Sequence, residues 1–190
     1  MLLWRESLPP CWLPKVRENL GAVLVDHAHL ERKAATTALN LEKYRELYSE
    51  VRALNAIAIE ELQHFNQVLD LLAQRGIPFG QPMRSPWISR MMAEVRKGRR
   101  EQVIDHLVVC SLIEGRSCEK FQILAAGVRD LDPVLAEFYA SLVESEGNHY
   151  ATYLIMARHI DEEETRQRLD YFLDLDAELI RVPHPHPILH

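Results

Sequence analysis

Apolar residues return every three or four positions along most of this chain, and alternating β-branched runs are missing. That period is helical. It predicts one helix over 15–40 and a second over 41–74. RGIPFGQPMRSP (75–86) is dense in breakers and stops the second. A short helix is expected over 87–96 and a long one over 100–126. Asp132-Pro133 has the form of an N-cap with proline at the first helical position, opening another helix to about 159. A last helix is expected over 162–180, and the tail VPHPHPILH reads as non-helical with no core role. Four long helices in two pairs, separated by the segment 76–97, describe an all-α bundle with one long crossover and additional short helices. The expected division is a single helical-bundle domain over 1–181 and a flexible His/Pro tail over 182–190.

The apolar faces carry acids. In LVESEGNHYATYL (142–154), Leu142, Val143, Glu146, His149, Tyr150 and Tyr153 share one face, so Glu146 and His149 are expected to be buried. Gly147 beside them costs about 1 kcal/mol against alanine in mid-helix. A buried carboxylate is expensive unless its charge is offset. The first long helix places Glu31 among Leu24, Ala28, Ala34, Ala35 and Ala38. The second places Glu61 and His64 among Leu54, Ile57, Ala58, Phe65, Val68 and Leu72. The third places Glu114 among Leu107, Cys110, Ser111, Cys118 and Phe121.

The order is therefore Glu, Glu-x-x-His, Glu, Glu-x-x-His. Glu31 precedes Glu61 by 30 positions and Glu114 precedes Glu146 by 32, so antiparallel pairing brings each pair to one height. This is the pattern of the dinuclear carboxylate site in ferritin-like bundles. Two divalent irons bring four positive charges and four carboxylates cancel them; hard oxygen ligands suit iron or manganese. One Glu-x-x-His alone carries little weight. The bland alternative, solvated or hydrogen-bonded carboxylates, needs six independent coincidences. Around the six, His27 and Glu60 are candidates to support the ligands, against a surface role for each. Asp26-x-x-His29 lies near Glu31 as a weaker candidate, and Tyr150, Tyr153, Phe121 and Cys118 are read first as packing residues.

Composition changes little: 190 residues, 47% hydrophobic and 26% charged, suit a globular domain. MLLWRESLPPCWLP is broken by charges and prolines and does not read as a signal peptide, and no run of about 18 apolar residues predicts a membrane span. Cys11, Cys110 and Cys118 form no C-x-x-C pair, so a reducing, cytoplasmic setting is expected. The net charge is −6, yet RSPWISRMMAEVRKGRR (84–100) holds six positive residues and one negative. That stripe (Arg84, Arg90, Arg96, Lys97, Arg99, Arg100) is a candidate polyanion footprint, with Trp87 available to stack on a base. The alternative is a solvated linker.

VDHAHLERKAATTALNL, EELQHFNQVLDLLAQRGIP and LVESEGNHYATYL resemble the tRNA 2-methylthio-N6-isopentenyladenosine hydroxylase family (MiaE). The flanking words, DHAHLERKAA and the QRGIP exit, carry the resemblance; the four-Glu, two-His pattern is common to ferritin-like proteins. The resemblance implies that Glu31, Glu61, His64, Glu114, Glu146 and His149 are catalytic di-iron ligands. It implies hydroxylation of the isopentenyl chain of a hypermodified tRNA adenosine, with two iron ions, dioxygen as co-substrate, and electrons from a ferredoxin or reductase. Ala34, Ala35 and Ser111 are small residues expected to leave room near the ligands. Another di-iron oxygenase, a ferroxidase, a rubrerythrin-like peroxidase, a manganese catalase and a non-enzymatic RNA-binding bundle remain alternatives at this point.

Overall fold

The computed structural model describes residues 4–182 and 188–189. Among them are seven α-helices and no strand: α1 (Trp12–Arg17), α2 (Leu20–Leu41), α3 (Val51–Gln74), α4 (Pro86–Ala93), α5 (Arg99–Gly127), α6 (Pro133–Ile160) and α7 (Glu162–Ile180). The helical bundle expected from the periodicity is what forms. α2 pairs with α3 and α5 with α6, each across a short connection. Residues 75–98, with α4 inside them, make the crossover. α7 packs on α4, α5 and α6, while α1 packs on α2 and α5.

Local chemistry sets the ends. Ser85 and Asp132 cap α4 and α6 through their side chains, with proline at the start of each helix. α3 stops at Gly76, whose φ is 64°, and Ile77 N–H returns to the Leu72 carbonyl at 2.9 Å. This is a Schellman closure, and glycine adopts its left-handed backbone without penalty.

Three boundaries differ from expectation. The first expected helix is two, broken at Glu18-Asn19, because α1 is held against the far end of α5. Arg17 pairs with Asp130 and bonds to the Gly127 carbonyl, and a Cβ on Gly127 would meet Leu13 at 2.7 Å. The second expected helix starts at Val51, after a turn that includes a 3-10 segment (Arg45–Leu47) and buries Leu47. The short helix ends at Ala93 because buried Asp105 captures the Arg96 N–H at 2.9 Å and its guanidinium as well. The tail is corrected too. Ile188 and Leu189 are 4% and 1% exposed, Leu189 N–H donates to Asp26 at 2.8 Å, and Trp12 Nε1 reaches the Ile188 carbonyl at 3.3 Å. Those apolar side chains gain about 1.5–3 kcal/mol each by burial. The histidines and prolines of 183–187 lie outside the described residues.

The core has two apolar compartments. One holds Leu54, Ile57, Leu107, Tyr153 and Phe172; the other holds Leu24, Val68, Phe121, Tyr139 and Leu142. Each of α2, α3, α5 and α6 passes from one compartment to the other, and each carries its inward glutamate between them.

Candidate metal centre

Glu31, Glu61, His64, Glu114, Glu146 and His149 are all buried. The structure brings them into two overlapping groups: Glu31, Glu61, His64 and Glu146 in one, Glu61, Glu114, Glu146 and His149 in the other. Within each group one ligand atom per residue lies within 4.8 Å of the rest. Glu61 and Glu146 belong to both. This is the arrangement of two adjacent positions with two shared carboxylates.

The contacts inside the cluster are close without being satisfied. His149 Nδ1 lies 2.8 Å from Glu61 Oε1, and His64 Nδ1 lies 3.4 Å from Glu31 Oε2 and 3.8 Å from Glu146 Oε1. Yet all five of these atoms lack a hydrogen bond of acceptable geometry. An orphaned buried polar atom costs about 1–3 kcal/mol, so five of them spread over two overlapping Glu/His groups fit cations held among them.

The outer contacts differ. His149 Nε2 is 2.8 Å from Glu60 Oε2, whose side chain is 50% exposed. His27 Nε2 is 2.5 Å from Glu31 Oε1, and its ring stacks on Tyr139 with centroids 5.6 Å apart. Such partners fix the orientation of a ligand side chain.

Without metal the cluster is electrostatically frustrated. Burial, then the neighbouring carboxylates, pushes Glu61 and Glu146 well above the usual carboxylate range. Burial pushes Glu114 up to about 8. Burial acts on Glu31 in the same sense, but the contacts with His27 and His64 outweigh it and hold this acid below its ordinary value. Burial keeps His149 neutral to lower pH than a free imidazole. Four adjacent buried acids repel one another unless protons or cations intervene.

A cavity of about 570 Å³ has Glu31, Glu61, Glu114 and Glu146 among its lining. Leu41, Cys110, Ile113 and Tyr153 also line it, as do Ile88 and Met92 from α4. Its size is that of a small-molecule site. Ala34 lines it, but Ser111 does not: its hydroxyl donates to the Tyr150 carbonyl at 3.1 Å, which corrects its expected place.

Trp87 of the crossover is a correction as well. Trp87 is 8% exposed and its Nε1 donates to Asp176 at 3.0 Å, so its ring is not free to stack on a base. α4 turns that face toward α5 and α7 because the indole is the largest apolar group it can bury. Arg90 pairs with Glu94, Arg96 with Asp105 and Glu164, Arg99 with Glu46, and Arg100 with Asp161. Arg84 and Lys97 are exposed. Among the other candidates, Asp26 accepts from Leu189, His29 Nε2 lies 2.8 Å from the Gly80 carbonyl, Phe121 packs on His27, and Cys118 bonds to the Val143 carbonyl at 3.4 Å. Sequence reasoning missed buried Arg116, Asp176 and Asp105; a charged residue on an otherwise apolar turn was the available signal.

A family model described as tRNA-(MS[2]IO[6]A)-hydroxylase (MiaE) matches residues 3–190. The chain belongs to the MiaE family. Two relatives are named tRNA 2-(methylsulfanyl)-N(6)-isopentenyladenosine(37) hydroxylase. The one from Pseudomonas putida is 36% identical over 177 residues, spanning 92% of this chain and 85% of the relative. The one from Salmonella typhimurium is 32% identical, spanning 92% of this chain and 82% of the relative. A solved structure described as Protein 43 with aldehyde deformylating oxygenase activity, from Synechococcus, superposes with a TM-score of 0.87 at 29% identity. It covers 100% of this MiaE-family chain and 96% of its own. The ferritin-like architecture is thus shared along the whole length. Among the described residues no helix is long and apolar enough to cross a membrane.

Proposed function

We propose that the chain is a non-haem di-iron monooxygenase that hydroxylates the isopentenyl group of a hypermodified adenosine in tRNA. Its co-substrate is dioxygen, its electrons come from a separate ferredoxin or reductase, and its location is the cytoplasm, where tRNA is. The observation that carries this reading is the pair of overlapping Glu/His groups on a cavity, in a chain of this family.

In this reading Glu31 and His64 would hold one iron, Glu114 and His149 the other, and Glu61 and Glu146, which belong to both groups, would serve both. The donor set supports it, since four carboxylates balance two divalent ions and imidazole completes the coordination. When bound, the iron pair would supply dioxygen activation, for a net reaction in which one oxygen atom is inserted into a C–H bond of the prenyl chain and the other becomes water with two electrons and two protons from outside. The chain's own residues do the rest. Glu60 holds the His149 ring through Nε2, leaving Nδ1 for the interior. His27 holds one oxygen of Glu31 and leaves the other free. Leu41, Ile113 and Tyr153 give the prenyl chain an apolar wall, exclude water, and present its carbon toward the carboxylates.

The test is metal content and an optical spectrum under air after ferrous loading, followed by hydroxylation of tRNA bearing the prenylated nucleoside. Two irons per chain, lost in Glu114→Ala, with hydroxylated product, is the expected result. The Synechococcus likeness favours a second reading, a di-iron oxygenase of another hydrocarbon-chain substrate. Iron without tRNA hydroxylation selects that one, and absence of any stoichiometric transition metal overturns both.

A further inference from the structure

We propose that the tRNA strand docks at the cavity mouth formed by the C-terminal half of α2 and the turn after it, not along the basic stripe of the crossover. The phosphates sit on Arg32, Lys33 and Lys43, and the modified base lies against Tyr44 and His106. The proposal rests on the tRNA reading above and locates its substrate.

Burial grades along the cavity. The glutamates and Leu41, Cys110 and Tyr153 are buried; Tyr44, His106, Ile88 and Ile113 are half-buried; Arg32, Lys33, Lys43 and Met92 are at least partly exposed, at the outer edge. The mouth therefore lies on the α2–α4–α5 side. Its lining includes three cations, and the only carboxylates in the lining are the four buried glutamates. Lys33 and Lys43 form no ion pair with described residues, though Lys43 Nζ lies 5.0 Å over the Tyr44 ring, and among the described residues Arg32 meets His29 Nδ1 at 3.1 Å and the Phe79 ring rather than a carboxylate. Four of the six crossover cations, by contrast, already hold carboxylates of this protein. A phosphate gains most from a cation that gives up no carboxylate to meet it.

The mouth also matches a base. Tyr44 and His106 are joined, hydroxyl to Nδ1 at 3.2 Å, with ring centroids 6.1 Å apart, so two rings are held together at the half-buried level. Thr36, Thr37 and Asn40 offer neutral hydrogen-bonding groups beside them. Ile88 and Met92, one turn apart on α4, present apolar and sulfur surface opposite. A nucleotide with an apolar arm fits that order: charge outside, rings and amides next, hydrocarbon innermost. Single-stranded loops are recognised by such stacking and splaying.

The experiment is fluorescence anisotropy of the iron-loaded chain with a labelled anticodon stem-loop, bearing or lacking the methylthio-isopentenyl group, across a salt series. Lys33→Ala/Lys43→Ala is expected to weaken binding about tenfold or more and to lower the salt slope by about 0.7 for each phosphate no longer neutralised, with iron content unchanged. Tyr44→Ala is expected to cost about tenfold for the modified stem-loop and less for the unmodified one. Arg84→Ala/Lys97→Ala is expected to bind like wild type. Wild-type affinity and slope in the Lys33/Lys43 variant, with weakened binding in the Arg84/Lys97 variant, overturns the proposal and returns the interface to the crossover. A wild-type chain that binds neither stem-loop at low salt overturns the tRNA reading itself, and this proposal with it.

Discussion

Two clusters of buried charge lie against α5, and they are built oppositely. Glu114 and Arg116 are two residues apart, hence about 200° apart around the helix. On the Arg116 side charge is compensated. Arg116 and Asp176 are both fully buried and pair directly; Arg116 also holds Glu119 and the Glu6 carbonyl and lies 3.8 Å from the Trp4 ring centre. Asp176 takes the Trp87 N–H as well. On the Glu114 side four acids and two imidazoles leave five atoms of the cluster without partners. One cluster is complete within the chain and ties α5 and α7 to the N-terminal segment. The other is complete only with something added. Burial of charge alone does not mark a functional site; a cluster of unmet buried ligand atoms points to one.

The largest effect should come from breaking the satisfied cluster. Arg116→Ala strands the Asp176 carboxylate and should cost about 3–5 kcal/mol in urea unfolding. Glu114→Gln should do the reverse in the metal-free protein at pH 8, adding about 2 kcal/mol by removing a carboxylate whose charged form burial disfavours, while abolishing the stabilisation by ferrous iron. Equal losses from both substitutions would erase the distinction. Leu189→Ala should cost about 2 kcal/mol, since the side chain is 1% exposed, a loss that metal does not restore.

Weaker effects sharpen the contrast. Glu60→Ala should lower iron affinity about tenfold to a hundredfold, read by competition with a chelator, with little change in metal-free stability. The pH response follows from Glu114, raised in the folded state to about 8 from 4.5. Its contribution is fully present below 4.5 and is lost as pH rises through about 8, and raised Glu61 and Glu146 act in the same direction. The Tm of the metal-free protein should therefore fall from about pH 5.5 to about pH 8.5, and iron should flatten the trend. Smallest is Gly147→Ala: the added Cβ meets Cys118 Sγ at 4.0 Å, an ordinary contact, so α6 should gain about 0.5–1 kcal/mol.

The six residues of the centre were legible in the chain because a helix has one period, and an acid on an apolar face stands out against it. The pairing of helices followed from the matched 30- and 32-residue spacings. Composition around Arg84–Arg100 showed a run of cations but not which carboxylates would meet them. Asp105, Glu46, Glu164 and Asp161 come from other elements. Trp87 misled for the same reason: whether an indole faces solvent or a core depends on which helix packs beside it.

The sequence by itself determined the helices, the bundle and the inward Glu/His layer, all of which rest on short-range periodicity and on the cost of burying charge. Only the tertiary structure decided that Arg116 and Asp176 satisfy each other, that Ile188 and Leu189 close over Asp26, and that the cavity opens beside Lys33 and Lys43. Those outcomes depend on contacts between residues tens to more than a hundred positions apart, and no local pattern encodes which partner a side chain finds.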